Sequence, residues 1–232
     1  MYQNIFLDIK KMKMHLWDDT KGHLEIPFRK YAYVKHPSGQ HVSLYGDRLK
    51  KVTQFDKDDP TLHESDVPPT TRFLVDQYGD SDEASIGHRI MFFDIEVEVT
   101  EGFPDVQKAQ NPITSIALYD STTEKYFTYV FDPNKRLKSY TKDDQVVEIY
   151  ETEYEMLNQF FQKYLEIRPT IISGWNSEFF DIPYLYNRAV RVLGPEVANL
   201  LSPISQVLYS EYKKKHTIAG VSSLDYLQLY RQ

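Results

Sequence analysis

Apolar and acidic positions alternate strictly from residue 91 to residue 99. Met91, Phe93, Ile95, Val97 and Val99 fall on one face; Phe92, Asp94, Glu96 and Glu98 fall on the other. A period of two predicts a strand with one buried face. Ile113 to Tyr119 and Tyr126 to Phe131 predict two further strands, and the short polar link from Asp120 to Glu124 makes them a hairpin. The period then changes. From Thr152 to Leu165, the residues Met156, Leu157, Phe160, Phe161, Tyr164 and Leu165 share one helical face, opened by the capping-box pattern Thr152-x-x-Glu155. Thr170 to Ser173 reads as a short buried strand. A second helix begins near Pro183 and stops at Gly194-Pro195, with Ile182, Leu185, Ala189, Val190 and Leu193 on its inner side. Three strands, helix, strand, helix describes an α/β (α+β) domain.

The residues before this run have a different texture. Ile5–Ile9, Met12–Trp17 and Tyr31–Val34 are short strand candidates rich in β-branched and aromatic residues, separated by Gly22, Pro37-Ser38-Gly39 and Gly46-Asp47. Between Asp56 and His88, the pairs Asp58-Asp59, Pro68-Pro69 and Gly79-Asp80 favour turns and connectors. The reading is two domains, a smaller β-rich one over 1–88 and an α/β one over 89–232. Composition narrows the class. With 41% apolar and 14% aromatic residues the chain can bury a core, and with no cysteine it has neither a disulfide framework nor a thiolate metal site. No run approaches the length of a membrane span, and no signal peptide opens the chain. The net charge of −7 argues against binding nucleic acid through bulk charge. The basic groups Lys10-Lys11-Met12-Lys13, Arg48-Leu49-Lys50-Lys51 and Lys213-Lys214-Lys215 read first as solvated rims and loops, with phosphate contact as the alternative.

Asp94 and Glu96 change the picture. Two apart on a strand, they project from one face with β-carbons about 6.5–7 Å apart. Phe92 shares that face, so some cover over it is expected. Partly covered carboxylates repel one another unless a cation lies between them, and hard oxygen ligands suit Mg2+ or Mn2+. An edge strand with a wet acidic face is the plain alternative. Asp181, just before Pro183, is placed for helix N-capping, but also for meeting Asp94 and Glu96 at the carboxyl edge of a sheet.

Together these segments resemble a known family. Phe93-Asp94-Ile95-Glu96 is similar to the first exonuclease motif of family B DNA polymerases, and Asn176-x-x-x-Phe180-Asp181-Ile182-Pro183-Tyr184 is similar to the second. Gly102-Phe103-Pro104, Ala109-x-x-Pro112-Ile113, the run Asp181 to Arg188, Leu201-Ser202-Pro203 and Leu224-Asp225-Tyr226 resemble the members from T-even-type tailed bacteriophages. The order of elements agrees with the ribonuclease-H-like layout of that family's exonuclease domain. The resemblance implies the N-terminal part of a DNA-directed DNA polymerase with a 3′–5′ proofreading exonuclease. Two divalent ions, Mg2+ or Mn2+, would be held by Asp94, Glu96 and Asp181, which are thereby the catalytic residues. It implies that Phe103 stacks on an unpaired base and that Asn176, Phe180 and Tyr184 shape the path of the strand. The implied partners are the single-stranded 3′ end of primer DNA, the remainder of the polymerase on the same or a companion chain, and a phage sliding clamp reached through a more C-terminal tail. The implied location is the cytoplasm of an infected bacterium.

The chain also departs from the family. No Tyr after Asp181 has Asp four residues on, so the third exonuclease motif is missing, and so are the palm motifs for nucleotide transfer. The sequence is therefore expected to stop inside the exonuclease domain and to be weak or inactive alone. A non-catalytic nucleic-acid-binding or docking subunit of a split polymerase is the alternative, and the basic groups of 1–88 are a further candidate nucleic-acid surface.

Overall fold

A computed structural model describes residues 1–100 and 102–231, which form two compact units. The first is Met1–Ile86 and the second begins at Gly87.

The first unit is built on two small sheets. Strands β1 (Tyr2–Asp8), β2 (Lys13–Asp18) and β3 (Gly22–Pro27) form an antiparallel meander. Strands β4 (Ala32–Lys35), β5 (His41–Val42), β6 (Arg48–Val52) and β7 (Leu62–His63) form a second sheet in the order β5-β6-β4-β7. Helix α1 (Pro69–Tyr78) follows. Its Phe73 packs with Met14, Leu16 and Phe28 in the core of the unit. The stretch read from sequence as a connector therefore contains a strand and a helix. Pro69 opens α1 rather than breaking structure, because a first-turn residue needs no N–H partner. Three of the six basic side chains in the two groups of this unit are engaged. Lys13 pairs with Glu25, Lys11 with Asp8, and Lys51 lies over the Tyr31 ring.

The second unit is one seven-stranded sheet with helices packed on it. Its strands are β8 (Ile90–Val97), β9 (Ile113–Asp120), β10 (Lys125–Phe131), β11 (Tyr140–Lys142), β12 (Gln145–Tyr150), β13 (Ile171–Gly174) and, after a separate hairpin of β14 (Val207–Ser210) and β15 (Lys215–Ile218), β16 (Ser222–Asp225). The spatial order is β11-β12-β10-β9-β8-β13-β16. Strands β10, β9 and β8 are antiparallel; β8, β13 and β16 are parallel. Helix α2 (Glu153–Ile167) joins the antiparallel half to β13, and α3 (Asp181–Val192) leaves β13. The short α4 (Pro195–Ala198) and α5 (Tyr226–Tyr230) complete the unit. A three-strand meander continued by parallel strands through helical crossovers is the ribonuclease-H-like arrangement.

The apolar face of β8 is where the pattern put it. Met91, Phe93 and Ile95 are buried against Met156, Leu157, Phe160 and Phe161 of α2 and Ile182 and Leu185 of α3 in one continuous core. Burial of such side chains, at about 1.5–3 kcal/mol each, holds the helices to the sheet. Thr152 caps α2 by accepting from the Glu155 N–H at 3.2 Å. Two expectations shift. Ile167 rather than Leu165 ends the inner face of α2, and Val99 lies beyond the strand and is exposed. Strands β11, β12, β14, β15 and β16 add to the expected elements. The Lys213–Lys215 run lies in the β14–β15 hairpin, where Lys214 pairs with Glu211 and Lys215 with Glu178.

Candidate active site

Strand β8 presents Asp94 and Glu96 on its solvent side. The expected cover is not there. Both residues are exposed and Phe92 beside them is 45% exposed, its ring 6.2 Å from Tyr119. The reason is that α2 and α3 pack on the opposite, apolar face of the strand.

The edge of β8 then creates a gap. Strand β13 pairs with β8 only through Ile171↔Ile90, Ile172↔Met91 and Ser173↔Phe92. At Gly174 the chain turns away, and glycine is required there because a β-carbon would fall 2.6 Å from the Phe93 carbonyl oxygen. Beyond that point the Ile95 N–H donates instead to Asp181 Oδ1 at 3.1 Å. The third sequence-predicted carboxylate therefore reaches the backbone of β8 between the other two.

Asp181 does not cap its helix. It is the first residue of α3, Phe180 stands at the cap position, and no side chain caps that end. The helix starts two residues before Pro183, and the carboxylate turns toward β8. Asp181 is 3% exposed. Burial pushes its carboxyl up to about 7, and the nearby charges of Asp94 and Asp225 push the same way against the Ile95 N–H. A buried carboxylate crowded by acids and held by a backbone N–H is a site with unmet demand for positive charge.

Asp225 is the neighbour that sequence reasoning did not place in the site. It ends β16 directly opposite Gly174 and is 3% exposed. Its Oδ1 accepts from Asn176 N at 2.9 Å and from Leu227 N at 3.0 Å; its Oδ2 accepts from Glu178 N at 3.2 Å. It thus pins the turn leading to Asp181 while capping α5. The available signal was an Asp at the start of a short helical run in Leu224-Asp225-Tyr226.

The remaining predicted residues divide. Asn176 takes the left-handed conformation, φ 59°, which Asn tolerates well, and its carbonyl accepts from Phe179 N and Phe180 N. Phe103 is 80% exposed, with its ring 5.2 Å from that of Phe180. Phe180 is half-buried and lies 5.7 Å from the Tyr184 ring. Tyr184 itself is fully buried and donates its hydroxyl to the Asn111 carbonyl at 2.8 Å, so it shapes the loop from beneath and offers a strand no surface.

The donor set of Asp94, Glu96 and Asp181 is all oxygen and suits Mg2+ or Mn2+. Among the described residues no three acidic or histidine side chains are drawn together tightly enough to form a closed ion cage. The set is an open rim with one member buried. No described helix is long and apolar enough to cross a membrane.

Strand β8, fifth in the seven-stranded order, thus carries an exposed acid pair, and a third acid enters from the helix after the next parallel strand. Residues 80–232 match the profile of the DNA polymerase family B exonuclease domain, and the chain belongs to that family. It is 31% identical over 173 residues to the DNA-directed DNA polymerase of Escherichia phage RB69, covering 62% of this chain and 19% of that protein. It is 34% identical over 167 residues to the DNA-directed DNA polymerase of Enterobacteria phage T4, covering 59% and 18%. DNA polymerase 1 of Saccharolobus solfataricus is 40% identical over 148 residues, covering 64% of this chain and 15% of that protein. The chain therefore spans less than a fifth of the length of these curated relatives.

Proposed function

We propose that the second unit is a proofreading exonuclease that removes nucleotides from a single-stranded 3′ DNA end, as part of a phage replicative polymerase in an infected bacterium. The observation that supports this reading is the hydrogen bond from the N–H of Ile95, the residue between Asp94 and Glu96 in the chain, to the buried Asp181 carboxylate. Asp94, Glu96 and Asp181 would hold two divalent ions. Such ions supply charge neutralisation at the phosphate, a more acidic water and a stabilised leaving oxygen.

The chain's own part is positioning. Asp181 gives up its proton and keeps one oxygen on Ile95 N–H, which fixes the direction of the other. Asp225 holds the turn before it. Phe103 is the exposed ring on which an unpaired base stacks, with Phe180 behind it; stacking is tolerant of base identity, as removal of any terminal nucleotide requires. The first unit would be the N-terminal domain of the same polymerase. Nucleotide transfer would belong to a region outside these residues, which also supplies the primer end and any clamp contact.

Because the donor set is open, cleavage by these 232 residues should be slow and should need millimolar Mg2+. The test is shortening of 3′-labelled single-stranded DNA with and without Mg2+, for the chain as it stands and for Asp94→Ala/Glu96→Ala. Slow, ion-dependent loss that the double variant abolishes supports the reading. Loss that the double variant retains contradicts it. Binding of single strands with no ion dependence would favour the docking-subunit alternative.

A further inference from the structure

The loop between β8 and β9 is held by one face of α3. Asn187 Nδ2 donates to the Val106 carbonyl at 2.9 Å. Arg188 Nη1 donates to the carbonyls of Gln110 at 2.7 Å and Ala109 at 3.2 Å. Tyr184 adds its hydroxyl on Asn111. Four carbonyls of one irregular segment are thus taken by three side chains spaced i, i+3 and i+4 on the helix. Its described residues need them, since they lie outside any strand and include Ala109, fully buried, at φ 41°. Arg188 is itself anchored. Its Nε and Nη2 meet Glu153 Oε1 and Oε2 at 2.8 and 2.5 Å, and the same Glu153 Oε1 accepts from Ile113 N, where β9 begins. The guanidinium fork suits this double task, which a lysine ammonium would not perform.

Phe103 belongs to the clamped loop and Phe180 immediately precedes Asp181. We infer that Asn187 and Arg188 are positioning residues that hold Phe103 against Phe180, so that the site selects ends carrying an unpaired terminal base. This rests on the proposed exonuclease reading. A pre-placed ring removes the ordering cost that a free loop would impose on each binding event. The clamp acts through Phe103, so its contribution should vanish when there is no base to stack.

The test has two arms on the whole chain. In the first, hydrogen exchange is followed for the amides of 103–112 in the wild type, Asn187→Ala and the paired Glu153→Gln/Arg188→Gln, which leaves no buried charge alone. Exchange in the loop should rise by about tenfold or more in both variants, with α2 unchanged. Unchanged loop exchange in both overturns the clamp. In the second, binding of a single-stranded oligonucleotide is measured in Ca2+ with an intact or an abasic 3′ residue. Asn187→Ala should weaken the intact end several-fold and leave the abasic end alone, and Asn187→Ala/Phe103→Ala should bind no worse than Phe103→Ala. Equal weakening of both ends, or fully additive effects, overturns the proposal. If the wild type binds neither oligonucleotide, the substrate reading fails, while loop exchange still decides the clamp.

Discussion

Asp181 and Asp225 lie at the same edge of the same sheet, each at the start of a helix, and each is 3% exposed. Their surroundings are opposite. Asp225 spends both oxygens on three backbone N–H groups. Asp181 accepts from Ile95 N–H and faces the charge of Asp94. Burial alone therefore does not describe a carboxylate's surroundings; the donors and charges around it do. A satisfied acid stabilises the fold, and an under-satisfied one is kept at a cost that an ion can relieve.

The largest expected effect lies on the exposed side. Asp94→Ala/Glu96→Ala should lower ion-dependent removal of 3′ nucleotides on the order of 10³-fold or more, since on the proposed reading it deletes two of the groups that would hold the ions. Thermal stability should hardly change, because both side chains are exposed. A large fall in melting temperature would mean that the acids are structural.

The next effect separates the two aspartates directly. Asp225→Ala strips three N–H groups of their acceptor and should destabilise the second unit by about 3 kcal/mol. Asp181→Asn, at pH 8 without divalent ions, should do the reverse and stabilise by about 2 kcal/mol, because it removes a buried charge while keeping an oxygen for Ile95. Denaturant titration of both variants decides it. Equal destabilisation would erase the distinction between them.

The same buried carboxyl makes stability depend on pH. The Asp181 carboxyl is raised from 3.8 to about 7 in the folded chain. Its neutral form is the favoured one when buried, so its stabilising contribution is complete below about 4 and is lost as pH rises through about 7. Stability without divalent ions should decline over that window. Ion affinity should rise over the same window, as the competing proton leaves, and level off above it. Unfolding at several pH values with and without Mg2+ reads both, and flat curves would contradict the assignment.

The placement of the two acids on β8 was legible because its signals are local. The alternation through Met91–Val97 placed the two acids on one face, and the heptad-like apolar spacing of α2 placed the core opposite. The position of Asp181 alone left its fate open, because N-capping and reaching β8 look the same along the chain; only the family resemblance favoured the second, and the choice depends on where β13 stops pairing. Asp225 was hidden for a related reason. Two of its three partners lie about fifty residues earlier and meet it only through the parallel pairing of β13 with β16. The cover expected over Asp94 from the neighbouring Phe92 failed because an aromatic on an open face is no evidence of a layer above it. Helix α1 was masked by its two prolines, which mark a helix start as readily as a loop.

The most direct test is an Mn2+ titration at pH 8, read by electron paramagnetic resonance, on the wild type, Asp181→Asn and Asp94→Ala/Glu96→Ala. Loss of free Mn2+ signal with the wild type, sharply weakened in both variants, is the expected result. No binding by the wild type, or binding that survives both variants unchanged, would contradict the claim that these three carboxylates form an ion site.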